Sequence, residues 1–170
     1  MANFAEDQNN EIEALESIYA NEFSIIEREP FARFSIKLST DDYEDNEVKL
    51  TCQIEFQFKA KYPDVAPGLE ITEFSDDFVD DYKSQLEQLL NEEAKNNLGM
   101  VMIFTLVSAA TEWMTNKVEE RKEAIRLEKE RKFKEQEEME QKKFEGESVG
   151  DCFRKLFEVF NRLEYHRNGS

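Results

Sequence analysis

The feature that most constrains the fold is a strictly alternating stretch followed by two prolines, between Val48 and Ile71. Apolar residues occupy every second position of its first half, namely Val48, Leu50, Cys52, Ile54, Phe56 and Phe58. A period of two is that of a half-buried antiparallel strand, so one face is expected to pack inward. In the segment Tyr62-Pro63-Asp64-Val65-Ala66-Pro67, Pro63 and Pro67 fix two φ angles and disfavour helix at the residues before them. This structural motif therefore predicts a rigid stack of turns.

The chain before this stretch predicts one helix and one strand. Asn10 is expected to cap the helix, with Glu11 and Glu13 in its first turn, where the helix dipole favours acidic side chains. The apolar positions at helical spacing are Ile12, Leu15, Ile18, Tyr19 and Phe23. Residues before Asn9 are expected to be frayed. A strand is predicted within Phe31–Leu38, and with the long strand and a third around Leu69 and Ile71 it forms a meander.

The chain after the prolines predicts two helices. The first is expected to open at Asp76-Asp77 and to close at Asn97 and Gly99, residue types that end helices. Its inner side is predicted to carry Phe78, Val79, Tyr82, Leu86, Leu89, Leu90, Ala94 and Leu98. The run that begins at Met100 is too apolar to be exposed on any side, so it predicts a buried helix. That helix passes without a stop signal into residues 117–143, where 19 of 27 residues are charged.

The C-terminal part combines this charged helix with a short apolar stripe. Gly146 to Gly150 are predicted to interrupt the helix, and Asp151 is predicted to cap a short amphipathic one. Its apolar side would carry Phe153, Leu156, Phe157, Phe160 and Leu163. Because such a stripe is unfavourable in water, it is expected to fold back or to bind a partner. The charged helix holds no sustained heptad, so a single projecting helix and a helical hairpin or dimer both stay open.

The charge distribution excludes several classes of partner. Residues 1–113 hold 25 acidic and eight basic residues, and the whole chain has a net charge of −17. This acidic part repels phosphate backbones and anionic lipid, so we expect no direct nucleic-acid binding and no membrane binding, whereas a basic partner is favoured. The sequence shows no signal-peptide pattern and no apolar run of bilayer-spanning length, which predicts a soluble, cytoplasmic protein.

The sequence offers no recognisable reaction centre. The single histidine, His166, lies in the tail, and Cys52 falls on the inward face of the predicted strand. Neither a Gly-rich phosphate loop nor the residue spacing of a calcium loop or zinc site occurs. Carboxylates are so abundant that helical pairs of them indicate a solvated face. We therefore predict no catalytic residue, no cofactor and no metal.

Three segments, taken in order and spacing, resemble the RWD domain. They are Glu11–Tyr19 (EIEALESIY), Tyr62–Pro67 (YPDVAP) and Asn97–Val107 (NLGMVMIFTLV), and the last is similar to the subgroup of DRG-family-regulatory proteins. The resemblance covers about residues 8–143. It implies an α+β fold related to ubiquitin-conjugating enzymes, with a helix, a four-stranded antiparallel meander, two helices and a long charged helical extension. The expected divisions are a disordered 1–8, an RWD domain over 9–115, the extension over 116–143, and an amphipathic helix and tail over 144–170.

The resemblance also implies a function. Members of the subgroup are adaptors that bind and stabilise developmentally regulated GTP-binding proteins, and fungal relatives reach translating ribosomes through a helical-repeat translation activator. The GTPase contact would fall on the charged helix and on the partner-binding residues Phe144, Val149, Phe153, Leu156, Phe157, Phe160 and Leu163. The repeat protein would contact the acidic RWD face. After Val149 the sequence departs from the family, with Phe157 in place of an expected tryptophan.

Two alternatives stay open beside this adaptor. The first is a catalytically inactive variant of the ubiquitin-conjugation pathway, because the fold is shared with those enzymes. Such enzymes carry their cysteine downstream of a comparable proline turn, whereas here no cysteine lies between Pro67 and Cys152. The second is a structural spacer, in which the charged helix only separates two binding surfaces.

Overall fold

The chain forms one helix, an antiparallel sheet and two further helices. The computed structural model describes residues 3–40, 48–75 and 81–167. Its elements are α1 (Phe4–Ile18), β1 (Phe23–Glu27), β2 (Arg33–Ser39), β3 (Thr51–Gln57), β4 (Gly68–Phe74), α2 (Tyr82–Asn96) and α3 (Ile103–Arg167). The predicted α+β class, with a long C-terminal helix, is confirmed. Residues group into two compact units, Met1–Lys122 and Glu123–Ser170.

The four strands form a meander in the order β1-β2-β3-β4, every neighbouring pair being antiparallel. The predicted alternation in β3 is confirmed, because Cys52, Ile54 and Phe56 are buried while the residues between them are partly accessible. Phe34 of β2 stands opposite Phe56 in the register. Their rings lie 5.7 Å apart, so aromatic pairs hold the inner face of the sheet together.

The residue pattern predicted three strands and missed β1. The resemblance to the RWD domain correctly implied four strands. Phe23 was expected on the first helix but begins β1, because the chain turns at Tyr19, whose carbonyl accepts the amide of Glu22 at 3.0 Å. Phe23 then pairs with Ile36 and stacks on Phe34 at 5.3 Å. An apolar residue just past the end of a helix fits the period of the helix as well as that of the following strand. Spacing alone therefore assigned Phe23 to the wrong element.

Helix α1 begins at Phe4, so Asn10 does not cap it, and residues 4–8, which were expected to be frayed, are helical. The side chain of Asn3 donates to Glu6 at 2.6 Å. The Gln8 amide donates to the carbonyl oxygens of Lys59, at 3.1 Å, and of Tyr62, at 3.2 Å. The two bonds of Gln8 join the early turns of α1 to the proline turn. Glu11 consequently lies in the middle of α1 and not in its first turn.

Helix α2 ends as predicted. Asn97 is its C-cap residue, and Gly99 adopts a φ of 87°, a left-handed conformation that glycine takes without steric cost. The amide of Gly99 donates to the carbonyl of Pro63 at 3.0 Å, which joins the end of α2 to the proline turn. The expected start at Asp76-Asp77, with Phe78 and Val79, lies outside the described residues.

Helix α3 departs from the prediction in two respects. Helix α3 begins only at Ile103, which is buried, whereas Phe104 is about half exposed because one side of a helix meets the core. In the segment before α3, Met102 is buried and Val101 is about half exposed. Gly146 to Gly150 do not interrupt α3. A helical glycine costs only about 0.5–1 kcal/mol relative to alanine, which the flanking helix formers offset. None of the helices in the described part of the chain is both long enough and apolar enough to cross a bilayer.

Candidate functional site

Tyr62, the first residue of the proline motif, is fully buried in the connection between β3 and β4. Residues 60–64 form consecutive turns, as predicted, and the amide of Val65 donates to Lys61 at 3.1 Å. Both Pro63 and Pro67 lie in this connection. The Tyr62 ring stacks on Phe58 at 4.4 Å, which fixes its hydroxyl in the protein interior. The motif is therefore a rigid support between two strands.

The Tyr62 hydroxyl lies at the centre of a buried hydrogen-bond network. It donates to Glu11 Oε2 at 2.7 Å and accepts the backbone amide of Met102 at 2.8 Å. The other carboxylate oxygen, Glu11 Oε1, accepts the amide of Ile103 at 2.9 Å. The first amides of a helix have no partner within that helix, so Glu11 and Tyr62 together cap α3 from outside. The glutamate also places negative charge at the positive end of the α3 dipole.

Burial dominates the acid–base behaviour of this network. It raises the pKa of Glu11 above its ordinary value, and the hydrogen bonds from Tyr62 and the two amides counter part of the rise. Burial and the adjacent Glu11 carboxylate also raise the pKa of Tyr62, so its hydroxyl stays protonated as a donor. Every polar group in the network has a structural partner, and none is left to react with a substrate. The sequence interpretation missed this role of Glu11, although its position four residues before Leu15, on the same side of α1, was its signal.

The thiols give no support to conjugation chemistry. Cys52 is 2% exposed, and burial raises its pKa to about 12, so it carries almost no thiolate at neutral pH. Its sulfur lies 3.4 Å from that of Met114, in the packing between β3 and α3. Cys152 is exposed on α3, far along the chain from the proline turn. Among the described residues, no group of three histidine, cysteine or acidic side chains could hold a metal ion.

The predicted partner-binding residues lie on one continuous helix. Because α3 is unbroken across Gly146 and Gly150, the spacing of four, three and four residues from Val149 through Phe153 and Leu156 to Phe160 places these side chains along one side. The exposed fraction is 59–75% for the side chains of Phe144, Val149, Phe153, Leu156, Phe157 and Phe160. We call these residues the α3 stripe. Leu163 lies in the helix, but its side chain is outside the described part.

Asp151 was expected to cap a separate helix but lies inside α3, where it pairs with Lys155 at 3.3 Å. Between residues 117 and 143, exposed ion pairs at a spacing of four residues join Glu128 with Lys132 at 3.3 Å and Glu130 with Lys134 at 2.8 Å. Each such exposed pair adds roughly 0.2–0.5 kcal/mol to the helix. These pairs therefore stabilise the helix that carries the stripe. The apolar side chains of the stripe remain exposed on that helix.

Comparison with known proteins defines the class of this molecule. A family model for the RWD domain matches residues 6–114, which is more than half of the chain. In fission yeast, Schizosaccharomyces pombe, an RWD domain-containing protein, C1393.09c, is 33% identical over 147 residues, covering 82% of this chain and 65% of that protein. The mouse eIF-2-alpha kinase GCN2 is 31% identical over 113 residues, covering 61% of this chain and 7% of the kinase.

The fold gives the same answer. The solution structure of the RWD domain of mouse GCN2 superposes with a TM-score of 0.61 at 23% identity, covering 69% of this chain and 89% of that domain. The chain belongs to the RWD domain family. RWD domains share the architecture of ubiquitin-conjugating enzymes but are typically non-catalytic domains that bind other proteins. The chain spans less than two thirds of the length of the fission-yeast protein and a small part of the kinase.

Proposed function

We propose that this protein is a non-catalytic adaptor of the DRG-family-regulatory subgroup, which binds and stabilises a developmentally regulated GTP-binding protein through the α3 stripe. The observation that carries the proposal is the stripe itself. Six large apolar side chains are exposed along one helix, which is typical of a helix that docks in the apolar groove of a partner. The resemblance of Asn97–Val107 to the subgroup supports the choice of partner.

The proposal extends to translation. The mouse relative is named as an eIF-2-alpha kinase, and its similarity to this chain extends over 113 residues, or 7% of the kinase. An acidic RWD face suits a basic surface on a helical-repeat translation activator, through which the adaptor would reach ribosomes. On this proposal the protein acts in the cytoplasm, where such partners lie.

A pull-down with the purified GTPase tests the stripe. Phe157 and Phe160 are exposed, so the double variant Phe157→Asp, Phe160→Asp is expected to fold like the parent. Burying an aromatic side chain contributes about 2 kcal/mol, so losing two weakens binding by roughly a thousandfold. The matched control is Ile26→Asp, Met100→Asp, which changes two exposed apolar residues outside α3. This control is expected to bind the GTPase normally.

The same pair of variants shows which result contradicts the proposal. Undiminished capture by the stripe variant would remove the stripe from the interface. Equal loss in both variants would mean that added negative charge anywhere on the protein prevents binding. In cells, loss of the stripe is expected to lower the level of the GTPase, measured by its decay after translation is stopped. An unchanged decay would contradict the stabilising role.

A further inference from the structure

An apolar groove lies between α1 and the beginning of α3, within the first compact unit. Its cavity volume is about 320 Å³, and its walls are formed by Asp7, Asn10, Glu11, Ala14, Leu15, Ile18, Val101 and Phe104. Ile18, Val101 and Phe104 are 55%, 49% and 52% exposed. These are the side chains that the sequence predicted to be buried. Their exposure along one groove leaves a patch of a kind that marks interaction sites.

The groove has the chemistry of a protein-docking site. A small-molecule site holds converging polar groups with free hydrogen-bonding capacity. Here the one buried polar side chain is Glu11, and both of its oxygens already accept bonds, from Tyr62 and from the amide of Ile103. The remaining lining is mostly apolar and comes from α1, from Val101 just before α3, and from Phe104 of α3. An amphipathic helix that inserts apolar residues at spacings of three and four suits such a surface.

The surroundings of the groove define the charge of its occupant. Its eight lining residues include the carboxylates of Asp7 and Glu11 and no lysine or arginine. Asp7 is exposed and forms no ion pair with the described part of the chain. Residues 1–113, to which the groove belongs, hold 25 acidic and eight basic residues. Carboxylates beside an apolar floor attract a basic ligand and repel anionic lipid or nucleic acid.

We propose that this groove binds a basic amphipathic helix of a partner protein, whose apolar residues contact Ile18, Val101 and Phe104 while a lysine or arginine faces Asp7. This surface is separate in sequence from the α3 stripe. The protein therefore carries two docking surfaces, and the groove would bind its partner whether or not the stripe binds a GTPase.

The test uses the full chain carrying Phe157→Asp and Phe160→Asp, so that the stripe cannot capture the probe. The probe is a fluorescein-labelled amphipathic peptide of leucine and lysine, with leucines at i, i+3, i+4 and i+7. Its twin has glutamate in place of each lysine. Fluorescence anisotropy at about 150 mM salt is expected to show saturable binding of the lysine peptide and none of the glutamate peptide.

Asp substitutions show whether the peptide binds in the groove or is attracted only by the negative charge of the whole protein. Ile18→Asp and Phe104→Asp are each expected to weaken the lysine peptide at least about tenfold, although each adds a negative charge. Ile26→Asp is the matched control on β1, where Ile26 is similarly exposed, and it is expected to leave binding unchanged. Asp7→Lys is expected to weaken binding without altering the apolar floor. Unchanged melting temperatures check that each variant is folded.

Three results would overturn the proposal. If Ile18→Asp bound the peptide as tightly as the parent, or more tightly, the attraction would be due to net charge alone. If no saturable binding of the lysine peptide occurred, the groove would not accept a basic helix. If the parent dimerised in sedimentation experiments and Ile18→Asp abolished the dimer, the occupant would be a second copy of the chain.

Discussion

Replacing Tyr62 with phenylalanine removes one oxygen atom and tests the external cap of α3. The ring keeps its stacking on Phe58, so packing is preserved. The change removes the bond to Glu11, and a hydrogen bond to a charged group contributes about 1.5–3 kcal/mol. It also leaves the buried amide of Met102 without its acceptor, which costs about 1–3 kcal/mol. Because these two effects share one hydroxyl, we expect a total loss of about 2–4 kcal/mol in the free energy of unfolding.

Urea denaturation followed by circular dichroism measures this loss as a lower midpoint with an unchanged slope. The matched control is Tyr19→Phe, since the Tyr19 hydroxyl makes no hydrogen bond with the described part of the chain. That variant is expected to stay within about 0.5 kcal/mol of the parent. A double-mutant cycle with Glu11→Gln should show a coupling above about 1 kcal/mol. If Tyr62→Phe were as stable as Tyr19→Phe, the reasoning about the cap would be refuted.

Three further predictions concern other parts of the chain. Gly146→Ala and Gly150→Ala each add a Cβ that meets open space, so each should raise the helix content of α3. Each should also raise the free energy of local opening by about 0.5–1 kcal/mol, measured as slower amide exchange. Faster exchange would contradict a continuous helix. Burial raises the pKa of Glu11, so the free energy of unfolding of the parent relative to Glu11→Gln is expected to fall as pH rises from about 4.5 through that raised pKa. Denaturation at several pH values measures this slope, and a slope of opposite sign would contradict the prediction. In the native protein a thiol reagent should label Cys152 rapidly and Cys52 only on unfolding, and a ubiquitin-charging assay should yield no thioester at either; early labelling of Cys52 would show that it is accessible.

The fold was largely predictable because burial imposes a period on the sequence. Cys52, Ile54 and Phe56 alternate since one face of the sheet is covered, and Leu86 and Leu90 recur since one side of α2 is covered. Patterns of this kind depend on neighbours along the chain, so they are visible without a structure. The stop at Gly99 was equally local, because a left-handed residue ends the helix.

The features that escaped prediction depend on contacts between distant residues or on small energy differences. Glu11 looked like a first-turn acid, and only the arrival of α3 shows that it accepts the Ile103 amide. Phe104 looked buried because the apolar run gives no indication of which side of the helix meets the core. Gly146 and Gly150 looked like a break, since a residue type reports a preference of about 1 kcal/mol and the flanking turns outweigh it.

The cap that α1 provides for α3 has a consequence for biosynthesis. Tyr62 and Glu11 accept the amide groups of Met102 and Ile103, and the bond between Glu11 and Ile103 spans 92 residues of the chain. The nascent chain consequently exposes its sheet and its first helix until α3 emerges, since contacts between distant residues form late. The domain would then reach its native state only when the helix that carries the stripe is already being added.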